Sequence, residues 1–69
     1  MYDSDGKEIA PGRGYRVSWR KWAGSTARYN FNCTAATMGG VVVLIDQKSH
    51  QTYTEAYLQR VEAKIHLKK

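Results

Sequence analysis

The chain has 69 residues, and its eleven Lys and Arg outnumber its six Asp and Glu, for a formal net charge of +5. This length allows one small domain, which buries only about 60% of the surface of its unfolded chain. The single cysteine excludes an internal disulfide and a cysteine-rich zinc site, and no apolar run approaches the roughly 18 residues of a membrane-spanning helix.

The first part of the chain differs in composition from the rest. Residues 1–14 contain the only proline, three glycines and several acidic residues, which is typical of a flexible lead-in that ends in a turn. They also lack the basic and apolar regions of a signal peptide, so we expect a cytoplasmic protein that does not associate with membranes. We therefore predict a lead-in over residues 1–14 and one β-β-β-α domain over residues 15–69.

Two stretches, residues 15–20 and 28–34, alternate apolar and polar side chains with a period of two. This period is typical of a strand with one buried face, and the intervening turn predicts that the two strands pair antiparallel. A second turn at residues 38–40 precedes the aliphatic run at residues 41–45, which predicts a third, well-covered strand. The side chains predicted to face the core from the first two strands are Tyr15, Val17, Trp19, Tyr29, Phe31 and Cys33.

The C-terminal stretch changes period, because Leu58, Val61 and Ile65 fall at i, i+3 and i+7. This spacing predicts an amphipathic helix over residues 53–67 whose apolar side packs against the sheet. The expected fold is α+β, with a three-stranded antiparallel sheet packed against a C-terminal helix. The alternative is an all-β SH3-like barrel, in which a short turn leads from residue 53 into a final strand.

The polar side chains of the first two strands form the face that the predicted helix leaves uncovered. They are Arg16, Ser18, Arg20, Arg28, Asn30 and Asn32, extended by Lys21 and Lys48 in the flanking turns. Neither strand contains a carboxylate, whereas a surface that serves only solubility mixes both signs of charge.

This combination of residue types suits nucleic acid. Arg and Asn hydrogen-bond the edges of guanine and adenine, while Lys and Arg neutralise phosphates. The pattern therefore predicts a nucleic-acid-binding face, with duplex DNA as the favoured partner. The alternative is a face that is polar only because solvent covers it.

Patterns of catalytic or metal-binding residues are not found in the sequence. The six carboxylates lie mostly in the lead-in, one turn and the predicted helix, where they form no acid pair and activate no nucleophile. His50 and His66 have no partner at metal-ligand spacing, and Cys33 faces the core by parity. We therefore expect no enzyme activity, no metal and no cofactor. Trp22 lies outside the alternation, which favours a position at the edge of the core over an exposed one.

The runs at residues 15–20 and 53–65, YRVSWR and YTEAYLQRVEAKI, resemble the amino-terminal, arm-site DNA-binding domain of phage tyrosine recombinases. In that family a three-stranded sheet lies in the major groove and packs against a carboxy-terminal helix. The resemblance covers about two-thirds of the chain. It implies a stand-alone DNA-binding module of a phage or mobile element, since no recombinase catalytic domain follows.

The run at residues 49–61, SHQTYTEAYLQRV, is similar to the end of plasmid-borne type II dihydrofolate reductases. These enzymes are SH3-like barrels that form a tetramer around one pore. The resemblance implies that Gln51 and Tyr53 occupy the positions that contact cofactor and folate in that family. Their neighbours His50 and Thr52 replace apolar residues of the family motif, so the resemblance implies the barrel fold more strongly than the reductase activity.

A third class of function is a protein-interaction module. A basic domain of this size suits an acidic surface on another protein, for example a host protein bound by a phage factor. The sequence contains no signal for the oligomeric state, which stays open.

Overall fold

The computed structural model describes residues 1–68, so Lys69 at the end of the predicted domain lies outside the described residues. Within residues 1–68, five strands form one antiparallel sheet in the order β4-β3-β2-β1-β5, with one short helix before the last strand. The elements in chain order are β1 Gly14–Arg20, β2 Arg28–Met38, β3 Val41–Asp46, β4 Thr52–Tyr53, α1 Glu55–Arg60 and β5 Lys64–Leu67.

The two hairpins expected from the sequence form the centre of the sheet. β1 pairs with the first half of β2, and β3 pairs with the second half, with the two registers overlapping at Cys33 and Thr34. Gly39 and Gly40 have φ angles of 58° and 79°, which suit the tight turn between β2 and β3. The predicted three-stranded antiparallel sheet is therefore present, but it is the middle of a larger one.

The sheet is strongly curled. β1 and β4 are separated by two strands in the sheet order, and a flat sheet would hold them about 14 Å apart at about 4.8 Å per strand. Instead, the ring centroids of Trp19 on β1 and Tyr53 on β4 lie 5.2 Å apart. The curl brings side chains from both ends of the sheet into one interior.

The prediction of a helix over residues 53–67 is wrong. Helix α1 ends at Arg60, and the chain then forms β5, which pairs antiparallel with β1. The N–H groups of Glu62 and Ala63 donate to the carbonyl oxygens of Gln59 and Leu58 at 3.2 and 2.9 Å. This hydrogen-bond pair is a Schellman motif, which ends a helix and turns the chain away.

The helix stop was difficult to predict because Glu62 occupies the position where glycine is usual. Its φ of 54° lies in the left-handed region, which costs a non-glycine residue about 1–2 kcal/mol. The helical spacing of Leu58, Val61 and Ile65 therefore extends across a break that no glycine or proline marks in the sequence.

We expect Glu62→Gly to raise the free energy of unfolding by about 0.5–1 kcal/mol, because glycine adopts the left-handed conformation without strain. Urea denaturation followed by circular dichroism measures the change. Ala56→Gly is the matched control, since Ala56 is an exposed residue inside the helix, where we expect a loss of about 1 kcal/mol. Equal destabilisation by both substitutions would contradict the proposed helix stop.

The interior contains most of the side chains predicted for it. The buried hydrophobic cluster comprises Ile9, Tyr15, Val17, Trp19, Cys33, Ala35, Leu44, Tyr53, Leu58 and Ile65. Phe31 and Val61 pack partly against it, whereas Tyr29, expected in the core, is 43% exposed.

The lead-in packs against this domain. Ile9 belongs to the core cluster. Ser4 forms two hydrogen bonds with Ile65 of β5: the Ser4 N–H donates to the Ile65 carbonyl at 2.8 Å, and the Ile65 N–H donates to the Ser4 hydroxyl at 2.9 Å. Ser4 thereby covers part of the outer edge of β5. Unpaired N–H and C=O groups on an exposed edge strand could otherwise pair with another chain. Residues before β1 thus contribute to the fold through specific contacts.

Candidate functional site

The register of β1 and β2 places the six predicted strand residues opposite one another in pairs. Arg16 lies opposite Asn32, Ser18 opposite Asn30, and Arg20 opposite Arg28. Directly opposed side chains of an antiparallel pair have Cβ atoms about 4.5–5.5 Å apart. The structure therefore brings these six side chains together on the outer side of the sheet, away from Tyr15, Val17 and Trp19.

β5 adds two residues to this surface that the sequence alone did not predict there. Lys64 lies opposite Ser18 and His66 lies opposite Arg16, and both are exposed. The sequence feature that indicates this strand is a short alternation of polar Lys64 and His66 with apolar Ile65 and Leu67. We call the combined surface the basic face. It consists of Arg16, Ser18, Arg20, Arg28, Asn30, Asn32, Lys64 and His66.

The positive charge of the basic face is not neutralised by the protein. The three strands β1, β2 and β5 contain no Asp or Glu. Within residues 1–68, the one ion pair joins the N-terminal ammonium to Glu55 at 3.5 Å, so no Lys or Arg side chain there is paired with a carboxylate. The cations are left to interact with solvent ions or with a polyanion.

Arg20 and Arg28 are the two arginines that lie directly opposite each other on this face. Like charges directly opposite one another across a sheet are destabilising. Arg28 is also held in place, because its Nη2 donates to the Ser18 carbonyl at 3.1 Å and lies 3.4 Å from the Ser18 hydroxyl. The Arg28 guanidinium therefore lies at Ser18, two residues along β1 from Arg20, and neither arginine has a carboxylate partner among the described residues.

The two predicted lysines lie beside the basic face. The Lys21 ammonium lies 5.4 Å from the ring centroid of Tyr29, a cation–π contact at the end of the β1–β2 hairpin. Lys48, in the turn between β3 and β4, shares a groove of about 640 Å³ with Asn30 and Asn32. Lys48 therefore lies at the margin of the basic face, in a groove that also contains Asp46. The Lys21 ammonium instead contacts Tyr29, which projects from the same side of the sheet as Trp19.

Asp46 organises the turn that positions Lys48. Its carboxylate accepts hydrogen bonds from the Lys48 N–H at 2.9 Å and the Ser49 hydroxyl at 3.0 Å. The Lys48 N–H is the main cause that holds the pKa of Asp46 below its ordinary value of 3.8, against the opposing effect of burial. Asp46 is therefore a structural carboxylate whose charged form stabilises the turn.

We expect Asp46→Asn to lower the free energy of unfolding by about 1–3 kcal/mol at pH 7, because the turn loses a charged acceptor. Since the pKa of Asp46 is lowered in the folded state, its stabilisation is complete well above pH 3.8. That stabilisation is lost as the pH falls through the folded-state pKa. Urea denaturation at pH 7 and at about pH 2.5 should show a difference between the two proteins that shrinks in acid. Asp5→Asn, an exposed carboxylate, is the control, and a difference equally large in acid would contradict this role.

The remaining chemically versatile side chains lie in structural positions. Cys33 is fully buried, and burial, with a smaller effect of the nearby Asp46 charge, raises the pKa of its thiol from 9.0 to about 11. It therefore stays protonated at neutral pH and is a poor nucleophile. Across residues 1–68, no three His, Cys, Asp or Glu side chains converge in an arrangement that could hold a metal ion.

The two positions taken from the reductase resemblance differ in exposure. Gln51 is exposed, whereas Tyr53 is only 6% exposed and packs against the rings of Trp19, Phe31 and Tyr57. Burial is the main cause that raises the pKa of the Tyr53 hydroxyl above its ordinary value of 10.0. In this chain Tyr53 acts as a core side chain.

Comparisons with protein-family models, curated proteins and solved structures found no match to this chain. The two family resemblances therefore remain expectations from the residues quoted for them. In the part of the chain that the structure describes, no helix has the length and apolar character needed to cross a membrane.

Proposed function

We propose that this protein is a small nucleic-acid-binding module that contacts duplex DNA through the basic face. The observation that supports this most strongly is the register of β1, β2 and β5. This register aligns Arg16, Arg20, Arg28 and Lys64 on one surface, and the three strands contain no carboxylate. Clustered, unpaired cations on one face are the electrostatic pattern expected of a partner for phosphates. Asn30 and Asn32 add groups that can donate to and accept from base edges.

The width of the face indicates how it meets the duplex. The major groove, about 12 Å wide, admits a two-stranded ribbon. The basic face is three strands wide and belongs to a curled five-stranded sheet, so full insertion of its side chains along all three strands is unfavourable. We therefore expect contacts to phosphates on the groove edges to supply most of the affinity, and base contacts to supply little.

We also infer that the fold belongs to the SH3-like class. The strand order β4-β3-β2-β1-β5, the strong curl and the short helix before β5 support this assignment over the arm-site domain of recombinases. The DNA-binding proposal does not depend on either family, because it uses only the register and charge of three strands.

A salt titration tests the proposal. The affinity for a labelled blunt duplex of about 20 base pairs, followed by fluorescence anisotropy, should fall steeply as the salt concentration rises. Contacts from the four permanent cations of the basic face predict a slope of log affinity against log salt of about −3 to −4. Failure to bind duplex or single strands at about 50 mM salt would reject the function.

A further inference from the structure

A cavity of about 630 Å³ opens at one end of the basic face, between the β1–β2 turn and the segment that links α1 to β5. Its volume falls within the range of about 300–1,000 Å³ that is usual for small-ligand sites. We call it the end cavity, and the side chains that define it are Arg20, Lys21, Trp22, Arg28, Arg60 and Lys64. Five of these six are permanent cations, drawn from three separate parts of the chain.

The end cavity is almost free of opposing charge. Glu62 is the one carboxylate among its lining residues, and it forms no ion pair among the described residues. Arg20 and Arg28 lie opposite each other across the strands, and Lys64 lies at the start of β5 beside them. An anionic group at this position would be attracted by several cations at once.

Trp22 gives the end cavity an aromatic surface. It is 65% exposed, whereas Trp19 is 6% exposed, so the core-edge position favoured by the sequence is wrong for Trp22. The turn that presents it is ordered by hydrogen bonds, because the Ser25 N–H donates to the Trp22 carbonyl at 3.1 Å and the Ala27 N–H donates to the Ser25 hydroxyl at 3.0 Å. An exposed indole beside cations is the combination that binds an unpaired base together with its phosphate.

We propose that the end cavity binds one unpaired nucleotide, with its base stacked on Trp22 and its phosphate held by Arg20, Arg28 and Arg60. This inference rests on the proposed function, because Arg20, Arg28 and Lys64 belong to both the cavity and the basic face. A duplex that lies on the basic face would deliver a terminal overhang into the cavity. The protein should therefore prefer DNA in which a duplex adjoins unpaired nucleotides over a fully paired duplex.

The test compares a blunt duplex with the same duplex extended by a three-thymidine overhang. One stacked base contributes about 1–3 kcal/mol, which corresponds to roughly 5- to 150-fold in affinity, so the wild-type protein should bind the overhang duplex tighter by a factor in this range. Trp22→Ala should abolish that preference and change the affinity for the blunt duplex by less than about twofold. Trp22→Phe should retain most of the preference, because it keeps an aromatic ring. Far-ultraviolet circular dichroism verifies that both variants fold.

The outcomes separate this inference from the proposed function. Salt-dependent binding of both duplexes with no preference for the overhang, or a preference that survives Trp22→Ala, overturns the cavity proposal and leaves the DNA-binding face intact. If neither duplex binds, titration with free thymidine monophosphate tests the nucleotide site of the end cavity by itself. Quenching of tryptophan fluorescence that Trp22→Ala abolishes supports the nucleotide site, since Trp19 is buried. The absence of quenching overturns it.

Discussion

Trp19→Ala is expected to lower the free energy of unfolding by about 3–5 kcal/mol, the usual cost of removing a large aromatic side chain from a core. Trp19 lies at the centre of an aromatic cluster, with ring-centroid distances of 5.0 Å to Phe31, 5.2 Å to Tyr53, 5.8 Å to Tyr57 and 6.2 Å to Tyr29. Domains of this size rarely exceed about 3–5 kcal/mol of total stability, so the variant should be largely unfolded at 25 °C.

Circular dichroism and urea denaturation measure this effect. Trp22→Ala is the matched control, because it removes the same side chain from a position that is 65% exposed and should change stability by no more than about 0.5 kcal/mol. Similar urea midpoints for the Trp19 and Trp22 variants would contradict the assignment of Trp19 to the centre of the core.

Replacing Arg16, Arg20 and Arg28 together with alanine is expected to weaken duplex binding by roughly 500-fold at 0.1 M salt. Each phosphate contact contributes about 0.9 to the slope of log affinity against log salt, so three lost contacts reduce the slope by about 2.7. With equal affinities expected near 1 M salt, where phosphate contacts are screened, this slope difference corresponds to roughly 500-fold at 0.1 M. The loss should therefore be larger at low salt and smaller at high salt. Anisotropy titrations of the variant and the wild-type protein at several salt concentrations measure both quantities.

Two controls separate the basic face from net charge. Replacing the same three arginines with lysine keeps the charges, so the affinity for nonspecific duplex should stay within a few-fold of the wild-type value. Replacing Lys7 and Arg13 with alanine removes two charges from outside β1, β2 and β5, and should have a much smaller effect than the arginine triple variant. Losses that depend only on the number of charges removed would show that the face itself does not bind.

The strands with a clear period could be predicted from the sequence. β1 and the first half of β2 alternate over enough residues to identify the buried and exposed faces, and the Gly39-Gly40 turn identifies the second hairpin. This alternation predicts that the six polar residues of those strands lie on one surface. Their assignment needs only the pleat of each strand and the pairing of neighbours.

The C-terminal part could not be predicted in the same way. β4 has two residues and β5 has four, too few for alternation to outweigh the helical spacing of Leu58, Val61 and Ile65. The helix stop depends on a left-handed Glu62, where the local sequence contains no glycine. Lys64 and His66 join the basic face only because β5 pairs with β1, so their role followed from tertiary structure.

The end cavity could not be predicted from the sequence for a similar reason. Its cations come from the β1–β2 hairpin, the end of α1 and the start of β5, and only the fold brings them together. The position of Trp22 was also difficult to predict, because Trp22 lies outside the alternation of residues 15–20 that assigns each side chain to a face. Its exposure depends on how the hairpin turn projects from the sheet.

Mapping the bound surface by nuclear magnetic resonance tests the central claim most directly. An isotope-labelled sample titrated with a short blunt duplex at about 50 mM salt would report chemical-shift changes at each backbone amide. We predict that the largest changes cluster on β1, β5 and the first half of β2, at Arg16, Ser18, Asn30 and Lys64, and that they fade as salt is added. Changes confined to the β2–β3 turn and α1, with none on those three strands, would contradict the assignment of DNA binding to the basic face.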